Sequence, residues 1–219
     1  MNNNSAFIFD LNGTMIDDMQ YHITAWHRIV NELGANISWQ QMKAECYGKN
    51  EEVVERILPG RFSLEERRQM GLEKEAQYQK EFKPHLKLID GLDKFLAAAQ
   101  QQQIKMAIGS AAIMFNIDFV LDGLNIRHYF DAVISADNVT KSKPDAETFL
   151  KCAAGLNVLP QDCIVFEDAP KGVEAAANAG MRCAVLTTMH QQHEFEVYKN
   201  IVCFAADYTS PNMLQLLKL

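Results

Sequence analysis

Ala6-Phe7-Ile8-Phe9-Asp10-Leu11-Asn12-Gly13-Thr14 is the stretch on which the fold turns. Four apolar residues stop abruptly at a carboxylate and a glycine follows shortly after, the pattern of a buried strand opening into a turn. The same form recurs: Ile104 to Gly109 ends at Ser110, Ala132 to Ile134 ends at Ser135, and Ile164 to Phe166 ends at Glu167 and Asp168, with Cys183 to Leu186 and Ile201 to Phe204 as two more runs. Consecutive apolar positions predict strands covered on both faces. Between them lie helical patterns at Leu92 to Gln100, Asn116 to Leu124, Ala146 to Ala154, and Gly172 to Ala179, the last with Gly180 as its stop. Strand and helix in alternation predict an α/β fold with a doubly wound parallel sheet. Ligands in such sheets gather beyond the carboxyl ends of the strands, where Asp10, Ser110 and the Glu167-Asp168 pair all fall.

One region breaks the alternation. Trp26, Ile29, Val30 and Leu33 share a helical face, and further helical patterns cover Val53 to Leu58 and Leu64 to Tyr78, with no strand among them. The expected organisation is an α/β core from residues 1–16 and 85–219, with an inserted α-helical cap domain over residues 17–84. The hinges would lie near Met15 to Asp18 and Phe82 to Leu88. The tail from Tyr208 to Leu219 is expected to pack as a final short helix.

The 219 residues suffice for one core domain and a smaller insert. A formal charge of -7 excludes a general affinity for polyanions, so no nucleic-acid partner is expected, although a small anion needs only a local positive site. No apolar stretch approaches the length of a bilayer span, and Met1-Asn2-Asn3-Asn4-Ser5 lacks the basic start of a signal peptide. No membrane partner and a cytoplasmic location are therefore expected. Five scattered cysteines, odd in number and without a Cys-x-x-Cys pair, read as reduced core filler. His190 and His193 have no evident third ligand for a metal and read as surface histidines.

Four pieces, in order, resemble the motifs of the haloacid dehalogenase superfamily. Asp10-Leu11-Asn12-Gly13-Thr14 resembles its opening Asp-x-Asp-Gly-Thr, Ser110 its strand-end Ser/Thr, Lys143-Pro144 its lysine motif and Glu167-Asp168-Ala169-x-x-Gly172 its acidic motif. The resemblance spans essentially the whole chain and implies a Rossmann-like core. It also implies a Mg²⁺-dependent phosphatase or phosphotransferase that works through an aspartyl-phosphate on Asp10. The partner would be a small phosphorylated metabolite, foremost a sugar phosphate. A carboxylate fixed at a strand end suits nucleophilic attack on phosphorus. Hard oxygen ligands from Asp10 and Asp168 suit Mg²⁺, which would offset the charge between nucleophile and phosphate. By resemblance the Asn12 carbonyl is a further ligand, and Glu167 holds a metal-bound water or orients Asp168. The Ser110 hydroxyl and the amides that follow, through Ala111, would bond a phosphate oxygen, and Lys143 would neutralise both phosphate and aspartate.

Asn12 departs from the family, whose phosphatases and phosphomutases usually carry an acid/base aspartate there. An amide cannot exchange that proton, and losing a positioned acid/base costs about 10²–10⁴-fold in rate. The position reads either as natural variation with slow or altered turnover, or as an aspartate-to-asparagine change that traps an intermediate. The insert resembles the small cap of the β-phosphoglucomutase branch, with His22-x-x-Ala25-Trp26 similar to its entry. His22 and Trp26, one turn apart, are candidate substrate contacts, as are Gly48 and Lys49 in the position of that branch's specificity loop. The mutases have an arginine soon after that glycine to hold a distal phosphate. Here Glu51 and Glu52 follow instead, and Arg56 is the nearest arginine. Hydrolysis therefore stands beside three alternatives: a β-phosphoglucomutase-type phosphomutase, a metal-independent haloacid dehalogenase, and a low-activity relative that only binds a metabolite. Monomer and weak homodimer both remain open.

Overall fold

A computed structural model describes residues 5–218. Met1 to Asn4, most of the stretch read above for a leader, and Leu219, the last residue of the tail, lie outside the described residues. The chain runs from strand β1 (Ala6–Phe9) into helices α1 (Met19–Glu32), α2 (Trp39–Glu45), α3 (Asn50–Ile57) and α4 (Leu64–Phe82). It continues through α5 (Leu92–Gln101), β2 (Lys105–Gly109), α6 (Met114–Gly123), β3 (Ala132–Ile134), α7 (Glu147–Leu156) and β4 (Cys163–Glu167). It ends in α8 (Pro170–Asn178), β5 (Arg182–Leu186), β6 (Ile201–Ala205) and α9 (Pro211–Gln215). These elements form two compact units, one from the residues up to Asp17 together with those from Lys87 onward, the other Asp18–Leu86.

In the first unit six strands form one sheet in the order β3-β2-β1-β4-β5-β6, every pair parallel. β1 is central, with Ile8 opposite Ala107 of β2 and Val165 of β4. The direction of winding reverses between β1 and β4, so the crevice that doubly wound sheets use for ligands opens where those two strands end.

Successive side chains of a strand point to opposite faces, and β1 fills both. Phe7 and Phe9 enter an aromatic cluster with Phe95 of α5, Phe166 of β4 and Tyr208. Phe9 stacks on Phe166 with ring centres 4.5 Å apart, and Phe7 on Phe95 at 5.7 Å. Each such pair adds about 0.5–1.5 kcal/mol beyond the area it buries. Ala6 and Ile8 enter the opposite cluster with Phe149 and Cys152 of α7 and Val173 and Ala176 of α8. The expected two-sided covering holds for the central strands and fades outward: β3 is only half-buried, and Val202 of β6 is exposed. An edge strand has one strand neighbour, and less of it is covered. The tail also differs from expectation, because Tyr208 lies before α9, buried against the sheet core.

Cys152, Cys163 and Cys183 are buried, and burial pushes their thiols up, that of Cys163 to about 11. That suits inert core residues. Among the described residues no helix is long and apolar enough to cross a membrane.

The second unit is helical throughout. Its ends are set by side chains: Ser38 caps α2 and Ser63 caps α4, each in a reciprocal box with Gln41 or Glu66 three residues on. Such a box contributes about 0.5–2 kcal/mol at its N-cap.

Candidate active site

Asp10 emerges from β1 and Glu167 closes β4, so the pairing of the two strands brings their carboxylates together at one end of the sheet. Lys143, far away in sequence, bridges them. Its buried ammonium donates to Asp10 Oδ1 at 2.7 Å and to Glu167 Oε1 at 2.7 Å, with the Phe149 ring 4.6 Å away. Burial alone would lower the lysine's pKa, but the two carboxylates more than offset this and raise it, so it stays charged.

Glu167 is occupied on both oxygens. Oε2 accepts from the backbone N–H groups of Asp168 and Ala169, each at 2.9 Å, which fixes the turn into α8. Gly172 makes room for it, since a Cβ there would stand 1.7 Å from Glu167 Oε1. Asp168 packs equally tightly on the loop after β1. A Cβ on Gly13, whose φ is +72°, would lie 2.1 Å from Asp168 Oδ2, and Thr14 Oγ1 donates to Asp168 Oδ1 at 3.4 Å. Sequence reasoning passed over Thr14 as a site residue.

Burial drives the electrostatics. It raises the Asp10 carboxyl to about 7, with Lys143 opposing the rise and Glu167 adding to it. Burial, then the charges of Glu167 and Asp10, hold Asp168 well above the usual carboxylate range. Three buried carboxylates thus face one ammonium. Their oxygens lie within 4.8 Å of one another, a hard-oxygen donor set whose fully ionised form carries more negative charge than one ammonium balances. That is the chemistry a small divalent cation fits.

Ser110 follows β2 and is buried, and its hydroxyl works against the rise that burial drives in the Asp10 carboxyl. The amides after it are less free than expected, because Ala112 N donates back to Ser110 Oγ at 3.2 Å, leaving Ala111 between them. The hydroxyl is thereby aimed by its own turn. Asn12 lies partly buried in the loop after Asp10, paired with Ile16 by an isolated parallel bridge.

The helical unit contains its own buried polar group, which the sequence reading caught only at His22. His22 Nε2 faces Asp18 Oδ2 at 3.2 Å, Tyr78 donates to the same oxygen, and Lys74 donates to His22 Nδ1. An ammonium has only donors, so toward Lys74 the ring's Nδ1 serves as the acceptor. Lys74 also donates to Glu75 Oε1 at 2.9 Å, and Asn50 donates to that oxygen at 2.8 Å. Trp26 is almost wholly buried with the Lys74 ammonium 5.6 Å from its ring, a packing position. Gly48 takes φ +81°, and Lys49 is the N-cap of α3, its backbone N–H on Glu52 Oε2 at 2.9 Å. Arg56 turns inward: Nη2 donates to the carbonyls of Glu45 at 3.0 Å and Tyr47 at 2.6 Å, and the guanidinium lies 3.8 Å over the Tyr47 ring. His190 pairs with Glu194 at 2.8 Å and has no part in the carboxylate cluster.

Comparison with known proteins assigns the chain to a family. The haloacid dehalogenase-like hydrolase profile matches residues 7–186. A fructose-1-phosphate phosphatase of Escherichia coli is 31% identical over 182 residues, covering 81% of this chain and 93% of that protein. A β-phosphoglucomutase of Bacillus subtilis is 32% identical over 185 residues, covering 80% of each. Among solved structures, a β-phosphoglucomutase of Clostridium difficile superposes with a TM-score of 0.83 at 29% identity, covering 97% of this chain and 96% of that one. The chain belongs to the haloacid dehalogenase-like hydrolases, in their β-phosphoglucomutase-like branch, and is a phosphoric monoester hydrolase or phosphomutase.

Proposed function

We propose that the protein hydrolyses the phosphate monoester of a small sugar phosphate through an aspartyl-phosphate on Asp10. The observation that carries this reading is the grip of Lys143 on both Asp10 and Glu167, with Asp168 alongside. Asp10 is held by Lys143, so it meets the phosphoryl group in a fixed orientation, which is where most of the advantage of an enclosed nucleophile arises. A bond forms from an Asp10 oxygen to phosphorus as the ester bond breaks, and the alcohol leaves with the bonding pair. Its proton comes from solvent, because Asn12 has none to give. Water then attacks phosphorus and releases inorganic phosphate, regenerating the carboxylate.

Asp10, Asp168 and the Asn12 carbonyl would hold Mg²⁺, with Glu167 orienting Asp168 behind them. The ion would supply neutralisation of charge between the carboxylate and the phosphoryl group. Lys143 supplies a second positive charge to the same place, and the Ser110 hydroxyl bonds a phosphate oxygen. The cluster of three carboxylates disfavours the metal-independent dehalogenase reading. Selectivity for the rest of the substrate belongs to the helical unit in this reading, with Gly48 and Lys49 as its foremost residues.

Hydrolysis is favoured over mutase chemistry by Arg56. A mutase needs a cation for a distal phosphate, and this guanidinium is committed to backbone carbonyls, to Glu45 at 2.9 Å and to the Tyr47 ring. The decisive assay is phosphate release from a panel of sugar phosphates with Mg²⁺. Asp10→Asn should abolish it, and Asn12→Asp should raise turnover by about 10²–10⁴-fold. Normal activity in Asp10→Asn would sink the assignment.

A further inference from the structure

The loop after β1 folds on itself, with Gly13 N donating to Ile16 O at 2.8 Å and Met15 N to Leu11 O at 2.8 Å. Its next three carbonyls are each met by a donor from a distant stretch of the same unit. Thr188 Oγ1 donates to Gly13 O at 2.6 Å, the Tyr208 hydroxyl to Thr14 O at 3.2 Å, and Ile89 N to Met15 O at 2.9 Å. Thr188 stands just beyond β5, after Thr187, whose N–H and hydroxyl both bond Ala205 O. One threonine thus extends the sheet, and the next reaches the loop. Tyr208 is anchored in turn: its backbone N–H donates to Asp90 O at 3.0 Å and its ring lies among Phe9, Phe95 and Phe166.

We propose that Thr188 and Tyr208 are positioning residues that set the loop carrying Asn12 against the catalytic carboxylates. The inference rests on Asp10 being the nucleophile. The loop has little freedom on its inner side, where the Gly13 backbone touches Asp168 closely enough that no Cβ fits. The two hydroxyls fix its outer side. Rotating the Gly13–Thr14 peptide out of the Thr188 bond moves the backbone that joins Asp10 to Thr14, and a shift of about 1 Å in such a site costs about 10²-fold in rate. Thr188 is only half-buried, so losing its hydroxyl removes little packing.

The test uses p-nitrophenyl phosphate with Mg²⁺. Its leaving group needs no protonation, so the burst of nitrophenolate reports phosphoryl transfer to Asp10 without dependence on Asn12. Thr188→Val should slow the burst about 10-fold or more while the ester concentration that half-saturates the burst rate changes by less than about twofold, since the lost interaction aligns the reacting groups rather than binding the ester. Thr188→Ser, which keeps the hydroxyl, should restore it, and Tyr208→Phe should slow it in the same sense. A folded Thr188→Val with the parent's burst rate overturns the proposal, as does Thr188→Ser behaving like Thr188→Val. Should Thr188→Val not fold, Tyr208→Phe decides: a slowed burst supports the proposal and an unchanged one overturns it. Asp10→Asn, run in parallel, separates the two levels. A burst that persists there removes the nucleophile and the inference with it, whereas a burst lost there and unchanged in Thr188→Val and Tyr208→Phe removes the positioning role alone.

Discussion

Gly172 shows how closely the site is fitted at the level of single atoms. In Gly172→Ala the new methyl would occupy the place of the Glu167 carboxylate, which already holds Lys143 and two backbone amides. The glutamate side chain can swing away, so the fold should survive while phosphate release falls about 10²-fold, as expected for a displaced catalytic array. Steady-state kinetics beside a thermal melt would check this, and unchanged kinetics would contradict the role given to Glu167. Asp10, Ser110, Lys143, Glu167 and Asp168 were legible in the sequence because most are polar residues at the abrupt ends of apolar runs. Asp18, Lys74, Glu75 and Tyr78 were not, because charges on helices normally face water. A signal existed all the same. Gly71, Lys74, Glu75, Tyr78 and Phe82 follow the spacing of one buried helical stripe, and all five are buried.

The four helices of the second unit depend on that stripe. Lys74 is the ammonium among Asp18, His22 and Glu75, all buried. Removing one partner of such a group leaves its counter-charges without compensation, at a cost of about 3–5 kcal/mol. Lys74→Ala should lower the urea midpoint of the helical signal accordingly, and an unchanged midpoint would mean the group is wetter than its burial indicates. At this scale the sequence pattern revealed α1, α3 and α4 but not α2. That helix is only Trp39–Glu45 and buries Met42 alone, too few apolar positions to show a period. Its capping box, Ser38 to Gln41, was the available sign.

Over the whole molecule, the alternation of strand and helix revealed a parallel sheet but not which strands are neighbours. The order β3-β2-β1-β4-β5-β6 follows from the path of the crossover connections, and that order is what sets Asp10 beside Glu167. Ionising all three clustered carboxyls calls for more positive charge than Lys143 supplies, which gives the folded protein its own reason to bind a cation. Mg²⁺ at about 100 times its Kd should stabilise the fold by about 2.7 kcal/mol, a rise of several degrees in Tm. Asp168→Asn should lose that response, and a parent protein indifferent to Mg²⁺ would refute the ion site. The central place of β1 also has a bearing on synthesis. Translation delivers this wholly apolar ribbon long before Val165, which flanks Ile8 on one side. A nascent chain halted before Cys163 therefore carries β1, with Asp10 at its end, on an open strand edge, a target for chaperones and for aggregation.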